Sequence, residues 1–248
     1  MRILPPAVQH CFTFLRHYGL RITIREAMPY ISEVLFRSEG RAEAHEDFDA
    51  RFGTDTSGEL WPWELPSIRH TGREVFGYEP VSAQRLSEIL DHIPIAPEQY
   101  TFVDLGSGKG RAVLVASRYP FKEIIGIEIS SELCTIARKN VKLYRPPEQV
   151  CRNIEILNID ALEYKFPASP LIVFMYRPFG ENTLMKVIAN LSSALELSNN
   201  PSYVIYVNPQ LEALLRKSPI LQKVPTPKWY SVYQAHPSSW ALCAPKSR

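Results

Sequence analysis

The sequence predicts an α/β protein built on an open, mostly parallel sheet. Two observations carry this. Beyond residue 100, short apolar runs alternate with segments at helical spacing. The first strand-to-helix turn, Gly106-Ser107-Gly108-Lys109-Gly110, is glycine-rich and follows the apolar run "TFVDL" directly. Alternating strands and helices imply right-handed crossovers and therefore parallel pairing.

Five runs read as buried strands: 101–105, 123–129, 153–157, 171–176 and 202–207. Helical candidates lie between them at about 109–119, 131–144, 181–197 and 209–217. The tail from "ILQKVPTPKWYSVYQA" onward holds no strong helix and reads as one or two further strands, an antiparallel hairpin at the sheet edge. The first 95 residues differ from the rest. "AVQHCFTFLRHYG" and "TIREAMPYISEVLFRS" read as two helices, the second kinked before Pro29. Residues 46–80 show no steady period and read as a long loop. Loops of that length are usually lids or linkers, and aromatics such as Phe48, Phe52, Trp61, Trp63, Phe76 and Tyr78 argue against disorder. Ser82 is the expected N-cap of a helix through "AQRLSEILDHI". The expected organisation is a helical extension and lid over residues 1–95, then a sheet domain over 96–248.

Bulk composition narrows the function. Among 248 residues, 28 basic and 26 acidic side chains leave a formal charge of +2, too even for a protein built to grip long nucleic acid. Small-molecule and protein substrates remain open, and the oligomeric state is not indicated. Cys11, Cys134, Cys151 and Cys243 form no CxxC pair and read as reduced thiols. No stretch reaches the ~18–20 apolar residues of a membrane helix, so the expectation is a cytoplasmic protein without membrane contact. No metal site is expected. His45, His70 and His236 lie outside the glycine turn and read as structural.

In an open α/β sheet, ligands bind beyond the carboxyl ends of the strands. The glycines let a ligand lie against bare backbone. A phosphate-binding P-loop needs GxxxxGK and then Ser or Thr, which this turn lacks. A dinucleotide fingerprint, GxGxxG, fits at Gly106 and Gly108 but meets Arg111 in its third glycine position. The pattern that remains is acid-x-Gly-x-Gly-x-Gly, from Asp104 to Gly110. It resembles motif I of the class I S-adenosylmethionine-dependent methyltransferases, and similarity to that family extends over about residues 100–210.

The resemblance implies a Rossmann-like fold with a mostly parallel seven-stranded sheet, helices on both faces, and S-adenosyl-L-methionine as cofactor. Asp104 would meet the cofactor ammonium, and Gly106, Ser107, Gly108 and Gly110 would make room for its methionine part. Glu128, 22 residues after Gly106, ends the second strand, where both dinucleotide and methyltransferase folds use an acid for the ribose hydroxyls. Ile129 would pack on the adenine face, with Asp160 accepting from the adenine amino group and Ala161 beside it. Lys109 and Arg111 read as solvated.

The fourth strand ends "FMYRPFG". Many methyltransferases acting on nitrogen place Asn, Asp or Ser here, then two prolines and an aromatic. Pro178 and Phe179 fit, but Arg177 takes the polar position and cannot accept from an amine. The departure points to an anionic substrate or to a solvated arginine; Tyr176 and Phe179 stand between pocket wall and core. "GSGKGRAVLVAS", "GIEI" and "GYEPVS" are faintly similar to the Dot1-like and small protein lysine methyltransferases, which makes Tyr78 a candidate cofactor contact. Asp55, between glycines and near the tryptophans, is a candidate in a substrate lid. No catalytic base stands out. The expected function is methyl transfer to a small molecule or a protein side chain. The rivals are a catalytically inactive partner-binding relative and an NAD-dependent oxidoreductase.

Overall fold

A computed structural model describes residues 48–68, 76–196, 201–227 and 229–235. These residues fall in one compact unit, Glu46–Arg248. The two helices expected before residue 40, Cys11, Cys243, the three histidines and the tail beyond residue 235 lie outside the described residues.

Seven strands form one sheet: β1 Thr101–Leu105, β2 Glu123–Glu128, β3 Ile154–Asn158, β4 Leu171–Tyr176, β5 Ser202–Val207, β6 Leu221–Val224 and β7 Tyr230–Ala235. Their order is β3-β2-β1-β4-β5-β7-β6. The first five are mutually parallel, while β7 runs antiparallel between β5 and β6. The five expected strands are present to within one residue, and the edge hairpin of the tail is β6 and β7. This is the expected Rossmann-like class I methyltransferase fold. Strand order reverses beside β1, between β2 and β4, so the crevice at the carboxyl ends of these strands is where the fold admits a ligand.

The central strands are apolar on both faces because helices cover both. On one face Phe102, Ile124, Ile172 and Ile205 pack with α2 (Ala83–His92), α3 (Arg111–Ala116) and α4 (Ser131–Leu143). On the other, Val103, Ile127, Val173 and Val204 pack with α5 (Glu181–Glu196). In α2 the buried Ala83, Leu86, Ile89 and Leu90 make one stripe, and Ser82 caps it by accepting from the Arg85 amide at 3.4 Å. Ser130 caps α4 in the same way.

Two helices are shorter than their sequence patterns. The segment expected at 109–119 is helical only as α3, because Gly106, Gly108 and Gly110 hold left-handed backbone before it and Pro120 follows. The segment expected at 209–217 keeps one turn, α6 (Glu212–Leu215), between Asn208 at φ 52° and Pro219.

The region expected as a long aromatic loop is ordered where it is described. Phe48–Phe52 forms a short helix, α1, and Phe48 stacks on Tyr144 at 5.8 Å. Leu60 and Tyr78 then pair as an isolated antiparallel bridge.

Candidate functional site

The site begins where β1 runs out. The Gly106 and Ser107 amides both donate to the Ile127 carbonyl at 2.9 Å, which holds the glycine turn against β2. Gly106, Gly108 and Gly110 sit at φ 79°, 54° and 88°, a region that favours glycine. Two of them are also needed for space. A Cβ on Gly106 would lie 2.5 Å from Pro178 Cβ, and one on Gly108 would lie 2.1 Å from the Tyr78 ring. The end of β4 and the 76–80 segment therefore close directly onto the turn.

Three carboxylates surround this turn. Glu128, at the end of β2, is 7% exposed. Its Oε2 accepts from the Gly108 amide at 2.9 Å and its Oε1 from the Ser130 amide at 2.8 Å, so two backbone donors fix its orientation. A carboxylate has about four acceptor positions, and the others stay available for hydroxyls. Burial pushes its carboxyl upward, while those backbone donors oppose the rise. Asp104, one residue before the end of β1, is 3% exposed. Burial, and then the neighbouring Glu128, raise its carboxyl well above the usual range. Asp160 follows β3, and its Oδ1 accepts from the Leu162 amide at 2.9 Å, which shapes the turn that presents it.

A cleft opens above the carboxyl ends of the strands. Gly106, Gly108, Glu128, Ile129, Asp160 and Ala161 form its floor and far wall, and Tyr78 covers the turn. Tyr176, Pro178 and Phe179 line the side nearest β4. Ten of the fifteen residues expected at the site from sequence thus meet around one cavity. Leu65, Ile68 and Leu133 also line it and had no sequence signal of their own, while Glu79, from the "GYEPVS" segment, lines it beside Tyr78. Leu65 and Ile68 pack with Leu133, Ile129 and Tyr78 in a small apolar cluster that roofs the adenine-facing end expected from Ile129. This roof is clasped to α4: Ser67 Oγ donates to Glu132 Oε2, and the Ser67 amide donates to Glu132 Oε1 at 3.1 Å. The Phe76 amide donates to the Pro178 carbonyl at 3.2 Å and ties the roof to the end of β4.

The other five expected residues lie elsewhere. Asp104 sits beneath the turn rather than on the cleft surface. Ser107 turns inward toward Gly126 of β2, and its buried Oγ has no hydrogen-bond partner. Gly110 starts α3, with Ala137 next to it. Arg177 is not among the lining residues; its guanidinium lies 4.9 Å from the centre of the Phe76 ring. Asp55 is outside the cleft as well, and its Oδ1 accepts from Lys109 Nζ at 2.8 Å.

Lys109 and Arg111 depart most from the sequence expectation. Both are buried, at 8% and 2% exposure, rather than solvated. Each points away from the cleft into the 54–57 loop. Lys109 Nζ also donates to the Ser57 carbonyl at 2.8 Å, and Arg111 donates to Thr56 Oγ1 and to Ser57 Oγ at 3.1 Å. The glycine turn carried no hint of these partners, which lie more than fifty positions earlier.

A model of the family "Histone methylation protein DOT1" matches residues 63–165. That stretch includes the roof, the glycine turn and all three carboxylates, and it stops before β4. The chain is similar to this family over the half of the sheet that builds the acid-lined cleft. No curated protein matches the chain. Among solved structures, an RNA methyltransferase from Salinibacter ruber in complex with S-adenosyl-L-homocysteine is 24% identical, with a TM-score of 0.44, covering 66% of this chain and 94% of that one. A predicted N6-adenine-specific DNA methylase from Listeria monocytogenes is 13% identical, with a TM-score of 0.49, covering 64% of this chain and 52% of that one. The mitomycin 7-O-methyltransferase MmcR is 14% identical, with a TM-score of 0.48, covering 63% and 54%. The chain thus spans nearly all of the first and about half of the other two.

The residues present fit an adenosyl cofactor bearing positive charge. Among the described residues, the lining holds Glu79, Glu128 and Asp160 and no lysine or arginine. The two basic residues of the glycine turn are engaged on its other side. A ligand with two phosphates would meet the carboxylates of this lining.

Proposed function

We propose that this protein is an S-adenosylmethionine-dependent methyltransferase. One observation carries the reading: among the described residues, the charged groups lining the cleft at the carboxyl ends of β1, β2 and β3 are all carboxylates. S-adenosylmethionine carries an ammonium, a sulfonium and a carboxylate, a net positive charge, and suits such a lining. When bound, it supplies an activated methyl group whose in-line transfer leaves a neutral thioether.

The chain's own residues then have separate tasks. Glu128 accepts from the ribose hydroxyls with the positions its two backbone donors leave open. Asp104, beneath the turn, stabilises the ammonium through the bare backbone of the glycines. Ile129 and Ala161 bracket the adenine, with Asp160 beside its amino group. Tyr78, Leu65 and Ile68 exclude water above. Tyr176, Pro178 and Phe179 shape the approach of the methyl acceptor.

The acceptor is an uncharged amine or hydroxyl, on a protein side chain or a small molecule, whose proton passes to solvent. Arg177 suggested an anionic substrate from sequence, but it lies against Phe76 and not on the cleft surface. Among the described residues of the roof, Glu79 is the charged one that lines the cleft. Without a compelling base in the cleft, rate enhancement rests on position and desolvation. The buried free thiols Cys134 and Cys151 agree with work in a reducing, cytoplasmic compartment.

The test is transfer of a labelled methyl group from the cofactor to three probes: a lysine-rich peptide, a neutral hydroxylated small molecule and a dicarboxylate. Label should enter the peptide or the neutral compound, and Glu128→Ala should weaken cofactor use about 10- to 100-fold. Labelling of the dicarboxylate alone would contradict the acceptor assignment.

A further inference from the structure

The 48–57 segment touches the glycine turn through a buried polar rack that the cofactor chemistry does not require. Asp49 is its hub. Its Oδ1 accepts from Thr54 Oγ1 at 2.7 Å and from Thr56 Oγ1 at 2.7 Å. The Thr56 and Ser57 amides also donate to it, at 2.9 Å and 2.6 Å. Burial would raise the Asp49 carboxyl, but the bonds from Ser57, Thr54 and Thr56 outweigh burial and hold it well below the usual range. Arg111 Nη2 lies 3.8 Å from Asp49 Oδ2, and Arg111 Nε donates to Thr56 Oγ1. Thr56 is fully buried. Its carbonyl accepts from the Tyr78 hydroxyl at 2.6 Å.

Asn140 pins the same loop from α4. Its Nδ2 donates to the Asp55 and Lys109 carbonyls at 2.8 and 2.9 Å, and its Oδ1 accepts from the Asp55 amide at 2.8 Å. The loop therefore has few ways to move without breaking several bonds at once.

Tyr78 is the far end of this chain of bonds and the cleft's cover over Gly108. We propose that Asp49, Thr56 and Arg111 are positioning residues for Tyr78: they fix the Thr56 carbonyl that anchors its hydroxyl, and so set how tightly the cleft closes on its cofactor. None of the three lines the cleft. The inference rests on the methyltransferase reading for the identity of the ligand, but the coupling between Thr56 and Tyr78 stands on geometry alone.

Thr56→Val keeps the carbonyl and the side-chain volume but removes the hydroxyl that joins Asp49 to Arg111. Asp49→Asn serves as a second variant should that one fold poorly. Two readouts are taken, each with and without Tyr78→Phe, which lacks the anchoring hydroxyl. The first is amide hydrogen exchange at Leu60 and Tyr78, the bridged pair, in protein without cofactor. The second is affinity for S-adenosylhomocysteine by calorimetry. Thr56→Val should speed exchange at both amides and weaken binding about three- to tenfold. In the Tyr78→Phe background it should have little further effect on either. Equal losses in both backgrounds would mean a merely structural role and overturn the inference. Unchanged exchange at Leu60 and Tyr78 would overturn it too. Failure of the folded wild-type protein to bind S-adenosylhomocysteine, with the exchange coupling intact, would instead sink the methyltransferase reading and remove the cofactor from the inference.

Discussion

Asp104 is 3% exposed and has Glu128 for a charged neighbour, so its folded carboxyl holds a proton to higher pH than it would in the unfolded chain. The sign follows from linkage. A folded value raised above the ordinary 3.8 gives stability that is full below that value and lost as pH rises through the folded one. Near neutral pH, Asp104 therefore destabilises the empty protein. Asp104→Asn should raise the melting temperature, by about 2–4 °C for each kcal/mol of relieved burial. The same substitution should weaken S-adenosylhomocysteine binding, because the cofactor ammonium favours the ionised acid. In the wild type, affinity should fall on acidification through the raised value. A melting temperature that drops in Asp104→Asn would contradict this account of the site. Gly108 gives a second residue-scale prediction. Its φ of 54° and the Tyr78 ring both oppose a side chain. Gly108→Ala should cost about 1–3 kcal/mol in denaturant titration and displace Tyr78 from the turn.

At the scale of elements, the roof is held by a few bonds rather than by a broad interface. Leu65 and Ile68 bury against Leu133, and the clasp to Glu132 sets where they lie. Burial raises the Glu132 carboxyl, but bonds from Ser67, Glu132's own amide and Ser130 together outweigh it and bring it down to about 2. A lowered folded value gives stability that is present above the ordinary 4.5 and lost as pH falls through about 2. Between those limits the clasp should loosen, and amide exchange at Ser67 and Ile68 should accelerate more than in the sheet. Ser67→Ala should reduce this pH dependence while leaving β1 and β4 protected. The strands themselves were legible in the sequence because each is a short apolar run between turn residues. The helices were legible where one face is apolar, as in α2, and over-extended where flanking glycine or proline stops them, as in α3.

Over the whole molecule, what the sequence made readable is what lies close along the chain. Asp104, Gly106, Gly108 and Glu128 stand at strand ends, and a parallel sheet brings strand ends together. Asp160 and Phe179 follow the same rule after β3 and β4. The partners of Lys109 and Arg111 were not readable, because Asp55, Thr56 and Asp49 reach them across more than fifty positions, and charged residues beside a glycine turn look solvated on composition alone. Arg177 stayed open between a substrate contact and a solvated arginine for a related reason: a residue's place after a strand does not say which side of the cleft wall it takes, and at φ 42° its backbone leaves the strand direction. No helix of the described residues is long and apolar enough to cross a membrane.

The central claim is that an acid-lined cleft at the head of this sheet takes a cationic adenosyl cofactor and not a dinucleotide. Calorimetric titration of the purified protein with S-adenosylmethionine, S-adenosylhomocysteine and NAD tests it most directly, alongside Glu128→Ala. The first two should bind saturably, more weakly in the variant, and NAD should give no heat. Binding of NAD alone, or of none of the three by folded protein, would contradict it.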